Sequence, residues 1–154
     1  MPPTSQRDFM PHVTVACVIE RDAQFLLVRE WIDGRERLNQ PAGHLEANET
    51  LAQAAVRETL EETGWHIELT GVVGVDLYTA PANGVTYVRT TFIGRALEED
   101  ANPQLDEGII GPEWLTRDEI AARREQLRSP MVLDIIDQYL AGRRYPLEVA
   151  GQHG

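Results

Sequence analysis

Glu58, Glu61 and Glu62 stand at positions i, i+3 and i+4 of the stretch GHLEANETLAQAAVRETLEETGW, which runs from Gly43 to Trp65. If that stretch is helical from about Glu49 to Glu62, the three carboxylates lie side by side on one face. Like charges at this spacing repel one another, and more strongly where water is excluded. Clustered carboxylate oxygens suit hard cations such as Mg2+ or Mn2+. Ions held there can serve hydrolysis of a phosphoanhydride, which already carries a good leaving group and needs neutralised oxygens, water of lowered pKa and an in-line approach. A solvated helix face is the alternative for any acidic cluster of this kind. Here Leu51, Ala54 and Ala55 form one apolar azimuth and Ala52, Val56 and Leu60 a second, so the helix reads as covered on two sides. Arg57 reaches Glu61 at i+4, and Gly64 is a fitting C-terminal stop.

The elements that must position this helix follow from the periodicity. His12 to Glu20 and Gln24 to Trp31 read as two strands paired in a hairpin. Asp33-Gly34 signals a tight turn, Leu38 to Gln40 a short returning strand, and Pro41, Ala42 and Gly43 a loop that leads into the helix. Beyond it, Ile67 to Tyr78 is Val- and Leu-rich and interrupted by Gly71 and Gly74, a pattern of bent or bulged strand. After the turn Pro81-Ala82-Asn83-Gly84, Val85 to Leu97 alternates as a long strand, with Tyr87, Arg89 and Thr91 on one face. Glu98 to Gly108 is an acidic loop and Ile109 to Leu115 a short strand. Thr116 with Glu119 forms a capping box, and Ser129-Pro130 opens a last helix whose stripe is Leu133, Ile136 and Leu140, with Gly142 past its end. Residues 1–10 read as a mobile leader, 11–148 as a single domain, and 149–154 as a tail.

Composition bounds the function. A chain of 154 residues, 42% of them hydrophobic, suffices for one sizeable core. Its net charge of −11 argues against a nucleic-acid polymer or an anionic membrane as partner, but not against a small phosphorylated molecule met through metal ions. Cys17 is the only cysteine and sits in an apolar run, as a buried thiol does. With neither a signal-peptide core nor an apolar run near ~20 residues, the expectation is a cytoplasmic protein, monomeric or a small homo-oligomer.

Gly43, Glu49, Arg57, Glu58, Glu61, Glu62 and Gly64 together resemble the signature of the Nudix hydrolases, matching all seven of its fixed places. Thr59 and Trp65 depart from it, standing where that family prefers Ile, Leu or Val. The resemblance implies an α/β/α sandwich with a mixed β-sheet between helices, and metal ligation by Glu58, Glu61, Glu62 and the carbonyl of Ala42. Arg57 and Glu49 would support the loop-helix geometry. The general base varies within the family; Glu107 is the first candidate, with Asp106, Glu46 and Glu62 as others.

PHVTVACV at 11–18, NQPAGHLEANETL at 39–51, LRSP at 127–130 and RYPLE at 144–148 further resemble the NudJ-type bacterial phosphatases. That likeness implies a Mg2+-dependent release of orthophosphate from nucleoside tri- and diphosphates and from hydroxymethylpyrimidine pyrophosphate. Trp31 and Tyr78 are candidates to stack on a ring, Arg29, Arg89 and Gln40 to meet phosphate or ring edges, and His44 to contact substrate. His12 and His44 are not spaced as a metal pair. Two other functions compete: an ADP-ribose pyrophosphatase, for which Pro81 stands at the associated spacing of sixteen residues after Trp65, and a ligand sensor without turnover.

Overall fold

The computed structural model describes residues 8–153. Of the leader expected at 1–10, residues 1–7 lie outside the described residues. Seven strands, β1 (His12–Arg21), β2 (Gln24–Ile32), β3 (Arg35–Asn39), β4 (Ala42–His44), β5 (Trp65–Thr79), β6 (Thr86–Glu99) and β7 (Ile109–Thr116), form one mixed sheet. Among the described residues three α-helices, α1 (Leu51–Thr63), α2 (Arg117–Ala122) and α3 (Met131–Leu140), cover it. This is the α/β sandwich that the sequence implies.

Strand β1 is the hub. It runs parallel to β6 from His12↔Tyr87 to Ile19↔Gly94 and antiparallel to β4. The expected hairpin with β2 forms only at Glu20↔Phe25 and Arg21↔Gln24. Beyond that turn the strands part, because β2 takes β3 and β7 as its neighbours. The splaying opens a space between the two halves of the sheet. Asp33 and Gly34, both at positive φ, make the tight β2–β3 turn.

Each face of the sheet buries its own core. Val15, Cys17, Ile19, Phe92 and Val72 pack under α1, where Ala54 and Ala55 let the helix approach closely. Val18, Leu27, Val73 and Ile93 pack on the opposite face against Ile120, Val132 and Ile136 of α2 and α3. Each such aliphatic or aromatic side chain contributes roughly 1.5–3 kcal/mol when fully buried. Leu140, expected in the α3 stripe, is instead 51% exposed at the helix end. Thr59 is fully buried and donates its hydroxyl to the Ala55 carbonyl at 2.8 Å, so this departure from an aliphatic residue is satisfied within the helix.

Several boundaries differ from the sequence reading for local reasons. The cap of α1 is Thr50, in a capping box with Gln53, so Glu49 stays outside the helix and its carboxylate is free for other partners. Ala42 and Gly43 are part of β4 rather than of a loop, since β1 offers them an antiparallel edge. Strand β5 stays continuous through the register shifts near Gly71 and Gly74. The segment after Gly142 also packs on β5: Tyr145 exchanges two backbone hydrogen bonds with Val72, and Leu147 and Ala150 cover the core. Among the described residues no helix is long and apolar enough to cross a membrane.

Candidate active site

Helix α1 presents its acids as its periodicity dictates, and Arg57 organises them. Its Nε and Nη2 donate to both carboxylate oxygens of Glu49 at 3.0 and 2.7 Å. Its Nη1 donates to Glu58 at 2.7 Å and Glu61 at 3.1 Å, and Nη2 also reaches the carbonyl of His44 at 3.1 Å. One guanidinium therefore ties the loop before the helix to two of its three acids. The hydrogen bonds from Arg57 hold the Glu49 carboxyl below the usual range. Glu46 is 3.5 Å from Arg57 Nη1, at the exposed rim.

Glu58 lies against the backbone of β4. A Cβ on Gly43 would overlap its carboxylate, so the glycine is needed for close approach. Ligand atoms of Glu58, Glu61 and Asp106 lie within 4.8 Å of one another. Asp106 comes from the acidic loop, which is fastened to α1 by hydrogen bonds from Asp106 N to Glu61 O at 2.9 Å and from Asp100 N to Gly64 O at 2.7 Å. Burial pushes the pKa values of Glu58 and Glu61 up, and the charge of Asp106 adds to both shifts. Three clustered oxygen donors, two of them pushed toward the protonated form, fit a hard divalent cation, which would relieve the repulsion.

Glu62 points elsewhere. It accepts a 2.7 Å hydrogen bond from Ala42 N, and burial raises its pKa to about 9. Glu107 is exposed in the turn next to Asp106.

Beside these acids lies a cleft of about 560 Å3. His44, Tyr78, Arg89, Glu62 and Ala42 line it, together with Tyr87, Asn83, Arg128 and Ser129. Three other candidates are placed away from it. Trp31 is 59% exposed and follows Glu30, which takes the cleft-facing turn of the β2 alternation. Gln40 is 2% exposed and donates to the Val132 carbonyl at 2.7 Å, tying the chain just after β3 to α3. Arg29 pairs with Glu36 at 3.3 Å.

Residues that the sequence reading gave no role complete the wall. Tyr87 is the cross-strand partner of Tyr78, a pairing that parity with Arg89 could have suggested. His12 Nδ1 and His44 Nε2, which sequence spacing sets far apart, are 3.0 Å from each other because β4 lies on β1. Arg128 pairs with Glu30 at 3.1 Å.

Comparison with known proteins bears on this geometry. Residues 10–134 match the NUDIX domain. The chain is 41% identical over 143 residues to the phosphatase NudJ of Escherichia coli (strain K12), covering 93% of this chain and 92% of that protein. The phosphatase NudJ of Shigella boydii gives the same identity and coverage. A NUDIX hydrolase structure from Nitrosomonas europaea superposes with a TM-score of 0.88 at 44% identity, covering 93% of this chain and 100% of that one. With three signature acids, Glu49, Glu58 and Glu61, held by Arg57 and an acid cluster fit for a divalent ion, the chain belongs to the Nudix family and is a NudJ-like hydrolase of phosphoanhydrides.

Proposed function

We propose that this protein is a Mg2+-dependent phosphohydrolase of nucleoside tri- and diphosphates and of hydroxymethylpyrimidine pyrophosphate, releasing orthophosphate, with Mn2+ able to replace Mg2+. The observation that carries the reading is the cluster of Glu58, Glu61 and Asp106, within 4.8 Å of one another, joined through Gly43, which abuts Glu58, to a cleft large enough for a nucleotide-sized molecule. The curated relatives are named phosphatases, which supports orthophosphate as the product.

Glu58 and Glu61, with Asp106, would hold the ion, and the Ala42 carbonyl and Glu62, once its carboxylate leaves the Ala42 N–H, would complete its ligands. A divalent cation there supplies neutralisation of phosphate oxygens and a lowered pKa for the attacking water. Arg57 fixes Glu58 and Glu61 from one side and so keeps the acids at set positions before substrate arrives. Glu107, exposed beside Asp106, takes the proton of the attacking water. Tyr78 and Tyr87 offer ring faces to the organic part of the substrate. The partner is thus a small phosphorylated molecule.

A second reading, hydrolysis of ADP-ribose, draws on Pro81, which lines the cleft with Ala80 and Ala82. Phosphate release with Mg2+ from GTP, GDP, hydroxymethylpyrimidine pyrophosphate and ADP-ribose separates the two. Direct orthophosphate from the first three is the expected result. A signal that needs added pyrophosphatase contradicts the product assignment. A signal only from ADP-ribose after alkaline phosphatase favours the second reading, and silence throughout makes the protein a ligand sensor.

A further inference from the structure

The cleft face of the sheet is a ladder of three rows, because cross-strand partners project to the same side. The outer row is aromatic: His12, Tyr87 and Tyr78 stand in register on β1, β6 and β5. The inner row is small: Ala42, Ala16, Thr91 and Gly74, and here Ala42 N holds the carboxylate of Glu62. Between them run His44, Thr14, Arg89 and Asp76. Arg89 therefore lies between the part of the cleft suited to a ring and the part that adjoins the acidic helix.

Arg89 is also the cleft cation without an acid. Arg128 is engaged by Glu30 at 3.1 Å. Asp76, the cross-strand partner of Arg89, is taken by Arg143 at 3.2 Å from both carboxylate oxygens. Glu62 is turned to the Ala42 backbone. Nε and Nη2 of Arg89 are both shielded from solvent and meet no hydrogen-bond partner among the described residues. A shielded guanidinium in this state costs stability unless something anionic completes it. Its planar fork suits two oxygens of one phosphate.

We propose that Arg89 is the receptor for the phosphate that adjoins the organic part of the substrate, the one that stays on the product when the outer phosphate leaves. This rests on the phosphohydrolase reading above and assigns the cleft a specificity for molecules with a phosphate at a fixed distance from a ring. Arg89 thereby ranks a phosphorylated compound above the same compound without phosphate, independently of any metal.

The test is binding without turnover. GMP, inorganic phosphate and guanosine are titrated by calorimetry into wild type, Arg89→Met and Arg89→Lys in excess EDTA, and the arginine Nε–H resonances are followed by NMR. Wild type is expected to bind GMP at least about tenfold more tightly than guanosine, the loss of one charge-assisted contact, with the Arg89 Nε–H signal moving on addition of either anion. Arg89→Met should bind GMP and guanosine alike, and Arg89→Lys should recover part of the difference. Because Arg89→Met removes a shielded charge without a partner, its melting temperature should not fall. Equal binding of GMP and guanosine to wild type, an unmoved resonance, or a GMP preference that survives Arg89→Met each overturns the proposal. Hydrolysis is not needed for any of these readouts, so an inactive protein with Arg89-dependent GMP binding would reject the hydrolase reading and retain the receptor.

Discussion

The two arginines at the heart of the molecule differ in almost every respect. Arg57 touches Glu49, Glu58, Glu61 and the His44 carbonyl, all but one of them within eight residues of it in the chain. Arg89 stands on a strand flanked by the distant β1 and the preceding β5, and its Nε and Nη2 have no partner among the described residues. The contrast separates two jobs. Chemistry needs groups held in place before the substrate arrives, so its acids and their arginine satisfy one another. Selectivity needs groups that the substrate completes, so they are left with capacity to spare.

If that division is right, damage on the Arg57 side should appear in kcat. Glu61→Gln should lower turnover by more than about a hundredfold, beyond what loss of an outer-shell partner costs, with circular dichroism and melting temperature near those of wild type. Glu107→Gln should lower it by about a hundredfold or more in steady-state kinetics, as loss of a general base does. An unchanged kcat would move the base to Asp106 or Glu46. Gly43→Ala is a milder way to displace one acid. Its methyl group overlaps the Glu58 carboxylate, so Glu58 must shift, which should cost about 1–3 kcal/mol by overpacking and reduce Mg2+ affinity in a metal titration.

The smallest expected effect concerns Cys17, fully buried under α1. Burial raises its thiol pKa from 9.0 to about 12. The folded state thus binds this proton more tightly than the unfolded one. Stability from the neutral thiol is fully present below about pH 9 and is lost as pH rises toward 12. Urea unfolding of wild type and Cys17→Ala from pH 7 to 10 should show wild type losing ground only at the alkaline end, and the native thiol should resist alkylation.

The helix site was legible because its residues sit within one or two turns of each other, where a period of 3.6 fixes who is adjacent. Asp106 was legible as a loop acid and a candidate base, but not as a member of the acid cluster. Its arrival beside Glu61 depends on a backbone bond between the loop and the helix that no spacing announces. The cleft was harder still. Alternation tells which strand residues share a face but not which face is hollow, so Trp31 was favoured over Glu30, and Gln40 over its neighbour Asn39, which does line the cleft. The splaying of β1 from β2 creates that hollow, and it follows from the partners each strand finds far along the chain. Tyr145 likewise pairs with Val72 only because β5 leaves an edge open beside Gly71.

Steady-state kinetics of wild type, Glu61→Gln and Arg89→Met on one substrate, GDP with saturating Mg2+, test the division most directly. The account predicts that Glu61→Gln loses kcat and that Arg89→Met raises KM by about tenfold or more while kcat stays close to wild type. A kcat for Glu61→Gln near that of wild type, or an Arg89→Met variant whose kcat falls as far as that of Glu61→Gln with KM unmoved, would contradict it.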